Sequence, residues 1–169
     1  MIQTRLINLA DMQLYHDISD TTYTKVINSM IVAAQLQDVA SLLGERLFND
    51  VLTNPANYTD LLDGGIYTYN GVDYTNYGLK SVISHYAYAR YLMFGSSKDT
   101  PFGFVDKLSG QDSRPTSDKH KKDLYGLNRD SAYKLWVSVQ NFLVRTKEPL
   151  FINACRTKPN NQFKISKII

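Results

Sequence analysis

Cysteine is nearly absent from this chain: Cys155 stands alone among 169 residues. One thiol forms no intramolecular disulfide and no thiolate metal cluster, which fits a reducing compartment. No carboxylate or histidine stands beside it in sequence, so it reads as a small buried residue rather than a nucleophile. Long apolar runs are missing too. The longest uninterrupted one is Met30 to Ala34, against the roughly 20 residues a spanning helix needs. Residues 1–11 carry one Arg and no apolar core segment, unlike a secretory signal. The expectation is a soluble protein made in a cytoplasm, with no membrane contact. Histidine is sparse: His16, His85 and His120 lie far apart along the chain and in no metal-ligand spacing. His85 reads as a structural, hydrogen-bonded residue. No glycine-rich phosphate loop occurs, Gly64-Gly65 reading as a helix stop. Glu45 and Asp50 flank Arg46 on a helix, and surface pairing explains them more simply than acid–base catalysis. The expectation is a protein with no catalytic site, no metal and no cofactor.

What is present is ordinary globular material, 43% hydrophobic and 21% charged, with an excess of tyrosine at 12 residues. Tyrosine suits interfaces, because its ring packs while its hydroxyl stays wet. A chain of this length folds as one domain with its own core. Charge is uneven. Residues 1–116 hold 8 basic and 12 acidic side chains, a net of −4; residues 117–169 hold 11 and 4, a net of +7. A basic third of this kind fits contact with nucleic acid, contact with an acidic partner, or a solvated helix face.

The apolar spacing predicts a mainly α fold: a helical bundle of about three long helices plus short ones, with a small inserted β-hairpin and a long inter-helix loop. Residues 1–20 read as an N-terminal arm with a short helical turn near Leu9 to Tyr15. The bundle domain covers 21–150. Its first long helix carries Val26, Met30, Ala33, Leu36, Ala40, Leu43, Leu47 and Val51 on one face, widened by Ile27, Ile31 and Ala34. Gly44 either bends this helix or ends it, and Asn54-Pro55 stops the run. A short helix over 57–63 comes next. Residues 66–75 alternate around Asn70-Gly71, the dipeptide of a type I′ hairpin turn. A hairpin of that size is too small to stand alone and must pack on something. A second long helix runs from about Tyr77 to Phe94 on a stripe of Leu79, Val82, Ile83, Tyr86, Ala89 or Arg90, and Met93. A loop over 99–117 projects Pro101, Phe102, Phe104 and Arg114. A third long helix covers about 128–147, with helical turns starting near Ser117, on Ala132, Leu135, Trp136, Val139, Phe142 and Leu143. Residues 151–169 form a tail in which Phe163 and Ile165 alternate with polar residues. That pattern suits either a strand added to a partner's sheet or a disordered end.

The candidate interface residues are therefore Tyr67, Tyr69, Tyr74, Pro101, Phe102, Phe104, Arg114, Phe163 and Ile165. Lys119, Lys121 and Lys122, with Lys158 and Lys164 of the tail, are candidates for contact with DNA or an acidic partner. A small helical DNA-binding module using the basic third is the alternative function.

Several segments resemble a known family. Ala34-Gln35 to Val39, Leu42-Leu43-Gly44-Glu45-Arg46-Leu47-Phe48, Leu61-Leu62-Asp63-Gly64-Gly65, Gly78-Leu79-Lys80 and Ser84-His85-Tyr86-Ala87-Tyr88-Ala89-Arg90-Tyr91-Leu92 resemble head-to-tail connector proteins of tailed phages of Bacteroidota. The loop Thr100-Pro101-Phe102-Gly103-Phe104-Val105, with Ser109, Ser113 and Pro115, fits the same family, and the ring proteins of crAss-like phages are most similar. The likeness covers roughly residues 25–150. It implies a virion protein at the portal vertex, an adaptor forming an oligomeric ring of about twelve copies, a dodecamer, beneath the portal. The portal protein, neighbouring connector or tail proteins, and DNA passing through the channel without sequence recognition are the implied partners. The tyrosine-rich hairpin is an addition to a plain connector bundle.

Overall fold

The N-terminal segment is built into the core. In a computed structural model that describes residues 4–19, 24–95, 97–100, 103–106 and 117–151, Leu6, Ile7, Met12 and Ile18 are buried. The segment contains helix α1 (Leu9–Gln13), started by a capping box in which Asn8 and Asp11 bond each other's backbone N–H. Gln35 ties it down: the Leu6 N–H donates to Gln35 Oε1 at 2.8 Å, and Gln35 Nε2 donates to the Thr4 carbonyl at 3.1 Å.

The first apolar stretch forms several helical pieces rather than one helix. Helix α2 (Thr24–Ala34) runs into a π-helical turn (Gln35–Val39), then α3 (Ala40–Leu43) and, beyond Gly44, α4 (Glu45–Thr53). The fully buried seam of α2 is Ile27, Ile31 and Ala34. The stripe through Val26, Met30 and Ala33 is only half-buried. The π turn explains why constant helical spacing fails beyond it. A wider turn rotates the residues after it, so Val39 and Leu43 are buried although regular spacing from the Ile27–Ile31–Ala34 seam would turn them away, while buried Asp38 and 54% exposed Leu36 sit where that seam's own period puts them. Gly44 ends α3 at φ 79°, ψ 153°, a conformation open to glycine and strained for other residues. Residues 24–43 have the length and apolarity of a spanning helix. Here they line the bundle core and carry a charged residue, Asp38, paired inside it.

After a 3₁₀ turn (Pro55–Tyr58) and α5 (Thr59–Leu62), strands β1 (Gly65–Tyr69) and β2 (Val72–Asn76) pair antiparallel. The turn residues Asn70 and Gly71 have φ of 52° and 77°, as a type I′ turn requires. The hairpin base is held tightly. Gly64 and Gly78 both have positive φ, and a Cβ on Gly64 would overlap the Asn76 carbonyl oxygen. Buried Asn76 donates to the Asp60 carbonyl at 2.7 Å and accepts from the Gly78 N–H at 3.1 Å.

Helix α6 (Leu79–Phe94) lies at the centre, between α2 and the last helix, α7 (Asp118–Thr146). It buries Leu79, Val82, Ile83, Tyr86, Ala87 and Ala89. One expectation needs correction. The segment expected as a loop over 99–117 begins with a second hairpin, β3 (Ser97–Thr100) and β4 (Gly103–Asp106), in which Asp99 pairs with Phe104. Its Thr and Val residues favour pleated backbone over coil. The third long helix begins at Asp118, in keeping with helical turns from near Ser117. Ser117 caps it, accepting from the His120 N–H at 3.3 Å, and Gly126 does not interrupt it. Ala132, Trp136, Val139 and Leu143 form its buried seam. The fold is mainly α, with small antiparallel hairpins between helices.

Candidate assembly interface

The tyrosines of the first hairpin are divided between two jobs. Tyr67, Tyr69 and Tyr74 share one pleat face, which lies on α7. The Tyr67 ring meets Phe142 edge-on with centroids 5.1 Å apart, and lies 5.9 Å from Tyr74. Arg145 of α7 joins them: its Nη1 donates to the Tyr67 hydroxyl at 2.9 Å, and its guanidinium sits 3.7 Å from the Tyr74 ring centre and 5.8 Å from that of Tyr69. Ser138 of α7 donates to the Thr75 carbonyl at 2.8 Å. Tyr67 and Tyr74 are thereby half-buried in their own subunit, while Tyr69 keeps 37% exposure. Two aliphatic residues of the hairpin stay in solvent: Ile66, on the opposite pleat face, is 77% exposed, and Val72, beside the turn, 52%.

The outer face of α7 is a second apolar surface. Tyr133, Val137 and Val144, spaced four and seven residues apart, are 58%, 39% and 46% exposed. At the start of the same helix the basic run does not act as one patch. Lys119 and Lys122 are exposed, whereas Lys121 is turned inward, 14% exposed, with Asp118 3.8 Å away. Consecutive helical residues are 100° apart, so adjacent lysines cannot share a face. Phe104 stands on β4 opposite Asp99. Pro101, Phe102, Arg114, Lys158, Phe163, Lys164 and Ile165, like Cys155 and the whole 152–169 tail, lie outside the described residues.

Two clusters join residues that sequence spacing keeps apart. Asp38, 6% exposed at its side chain, accepts from Arg90 Nε and Nη2 at 2.9 and 2.8 Å and from Arg129 Nη1 at 2.8 Å. Arg129 also lies 5.1 Å from the Tyr86 ring centre and 5.5 Å from that of Tyr125. This triad ties α2's extension, α6 and α7 together. The available signal was one acid and one arginine inside otherwise apolar helical faces. The second cluster corrects the expectation of separated histidines. His16 stacks on Tyr88 with centroids 4.1 Å apart and meets His85 edge-on at 4.5 Å. Burial, reinforced by the neighbouring His85, lowers the His16 pKa to about 4. His85 Nδ1 bonds the Ser81 carbonyl oxygen at 2.9 Å, the structural role expected of it. Asp50, expected as a surface charge, accepts from the Tyr58 hydroxyl and from Asn54 Nδ2, and not from Arg46. Burial, then the Asp50 bond, raises the Tyr58 pKa to about 12.

Among the described residues no three metal-ligating side chains converge. The surface features are extensions and apolar faces.

No curated protein and no solved structure matches the chain. Residues 39–161, spanning α3 to the last described helix and beyond, match the profile described as "Family of unknown function (DUF6712)". The matched stretch is well over half of the sequence, and the chain belongs to the DUF6712 family.

Proposed function

We propose that this protein is a structural subunit of a tailed-phage head-to-tail connector, without enzymatic activity, that works as one copy in a ring beneath the portal. The ring extends the DNA channel and offers a platform to the next tail component, with its site of action at the portal vertex of the virion.

The observation that carries the reading is the way apolar surface is distributed. Ile66, Val72, Tyr133, Val137 and Val144 are exposed on a chain that already buries a continuous core from Leu6 to Leu143. Apolar side chains left exposed on the first hairpin and on the outer face of α7, outside the core of the described residues, suit contacts with neighbouring subunits. A ring needs two different faces on each copy, because its contacts are heterologous. The first hairpin and the outer face of α7 supply candidates for both. The internal triad on Asp38 supports the same reading, since it cross-ties three helices into a rigid body. The resemblance of residues 25–150 to connector proteins supplies the assembly and the partners.

Exposed Lys119 and Lys122 suit a channel wall that meets passing DNA through its phosphates, without reading bases. The DNA-binding alternative predicts measurable duplex binding by the free chain with a steep salt dependence. The connector reading predicts weak binding, and assembly on the portal. Reconstitution with the cognate portal protein, followed by electron microscopy, separates them: a ring stacked on the portal supports the proposal, and duplex binding without any portal complex removes it.

A further inference from the structure

The first hairpin ends in an open edge. Its two-residue turn makes Tyr69–Val72 a hydrogen-bonded pair, and by alternation Tyr67–Tyr74 and Gly65–Asn76 as well. The N–H and C=O groups of Ile66 and Thr68 therefore point away from β2. Among the described residues no backbone bond outside the hairpin uses them, and the sheet has no third strand. The opposite edge, on β2, is closed where Ser138 caps the Thr75 carbonyl. Protected edges carry lysine, proline or a covering element. Gly65-Ile66-Tyr67-Thr68-Tyr69 has no lysine or proline and, among the described residues, no covering element, and it consists largely of residues that favour strands. A cavity of about 120 Å³ opens beside its start, lined by Asp60, Ile66, Tyr67 and Phe142 among others. That is room for one side chain of an added strand.

We propose that this edge receives residues 163–168 of a second copy of the chain as a third strand. Two observations select that occupant. The first is charge. Residues 57–76 hold three acidic side chains and no basic one, whereas residues 152–169 hold four basic side chains and no acidic one. Of the three acids, Asp60 and Asp73 have no cationic partner among the described residues. The second is reach. The described chain ends at Phe151, against Trp136. Eleven residues, 152–162, then separate it from Phe163. Extended, they span about 36 Å, comparable to the roughly 40 Å diameter of a domain this size. That length is enough to reach the hairpin of an adjacent copy, and the experiment below separates this from closure on the chain's own hairpin. The alternation of Phe163 and Ile165 with Lys164 and Ser166 gives the segment a strand's period. A strand edge of one copy receiving the tail of the next joins two different surfaces, a heterologous contact of the kind that closes a ring. The inference rests on the reading of the chain as a self-assembling subunit, and not on the identity of the particle.

The test uses the full chain with Cys155→Ser as background. One variant adds Thr68→Cys; three others each add Lys164→Cys, Ile165→Cys or Ser166→Cys, which covers the alternative registers. Mixed and oxidised across a concentration series, at least one pair is expected to give an inter-chain disulfide at tenfold or more the yield of either variant alone. Adding Ile66→Lys to the Thr68→Cys partner is expected to abolish that product without shifting its melting temperature. Three results overturn the proposal. Thr68→Cys chains linked to each other would mean that two hairpins pair edge to edge. A single chain carrying both cysteines that closes on itself, with no inter-chain product, would put the tail on its own hairpin. A chain that yields no linked pair at any concentration would leave the edge without this occupant. Because the readout is the link alone, a chain found off the portal axis would remove the connector reading while leaving this result intact.

Discussion

Replacing Asp38 by Asn probes the centre of the bundle. The substitution keeps the shape of the side chain and removes the one charge that two guanidiniums share. Asp38 is 6% exposed and Arg90 15%, with three contacts of 2.8–2.9 Å between the carboxylate and its partners. Removing one member of a buried ion pair costs about 3–5 kcal/mol, because the remaining charge is left desolvated. Arg129 is 36% exposed, so water compensates part of its loss. We expect a loss of about 3 kcal/mol, equivalent to a fall of about 6–12 °C in Tm for a domain of this length. Urea unfolding followed by far-UV circular dichroism measures it without adding ions. A double-mutant cycle with Arg90→Met isolates the pair, and a coupling above about 1.5 kcal/mol is expected. Raising the salt to about 1 M should leave the wild-type stability nearly unchanged, because buried pairs are poorly screened. A loss under about 1 kcal/mol for Asp38→Asn, or a coupling near zero, would refute the triad as the tie between the helices.

Tyr67→Ala and Tyr74→Ala should each destabilise the monomer by about 1–3 kcal/mol, since their rings pack on Phe142 and Arg145 of the same chain; an unchanged urea midpoint would mean that the hairpin is undocked in solution. Gly64→Ala should cost more than about 2 kcal/mol, through positive φ and overlap with Asn76, and a melting curve matching wild type would contradict the tight hairpin base. His16 has a folded pKa of about 4 against 6.5 unfolded, so its neutral form favours folding and stability falls as pH drops from about 6.5 towards 4. The full shift corresponds to about 3.4 kcal/mol, and partial exposure reduces the expected effect to about 1–2 kcal/mol; His16→Phe should flatten that slope, and an NMR titration of His16 near its ordinary value would contradict the stacked arrangement. Phe102→Ala with Phe104→Ala should leave the monomer's Tm unchanged and weaken its attachment to the assembly, as measured by co-sedimentation with the portal complex.

Much of the fold was legible because it depends on local chemistry. Asn70-Gly71 specified its turn, Asn54-Pro55 ended a helix, and the seams of α6 and α7 followed the helical period. The errors came from features with no local signature. The true seam of α2, Ile27–Ile31–Ala34, lies one position off the expected stripe, which leaves Leu36 in water, and a π turn at Gln35–Val39 then shifts the helical phase so that Val39 and Leu43 are buried. The second hairpin comes directly after a helix and includes a proline, which read as loop chemistry. The site was less legible than the fold. Spacing placed the tyrosines on a hairpin, but only the three-dimensional packing showed Tyr67 and Tyr74 turned onto α7 while Ile66 stays outside. Asp38–Arg129 and His16–His85 are separated by 91 and 69 positions, beyond the reach of any local pattern.

Cryo-electron microscopy of intact particles that incorporate this chain tests the connector claim most directly. Density for α6 packed between α2 and α7, repeated as a ring on the portal-to-tail axis, is the expected result. Density for the chain elsewhere in the particle, or particles assembled with tails attached in its absence, would contradict it.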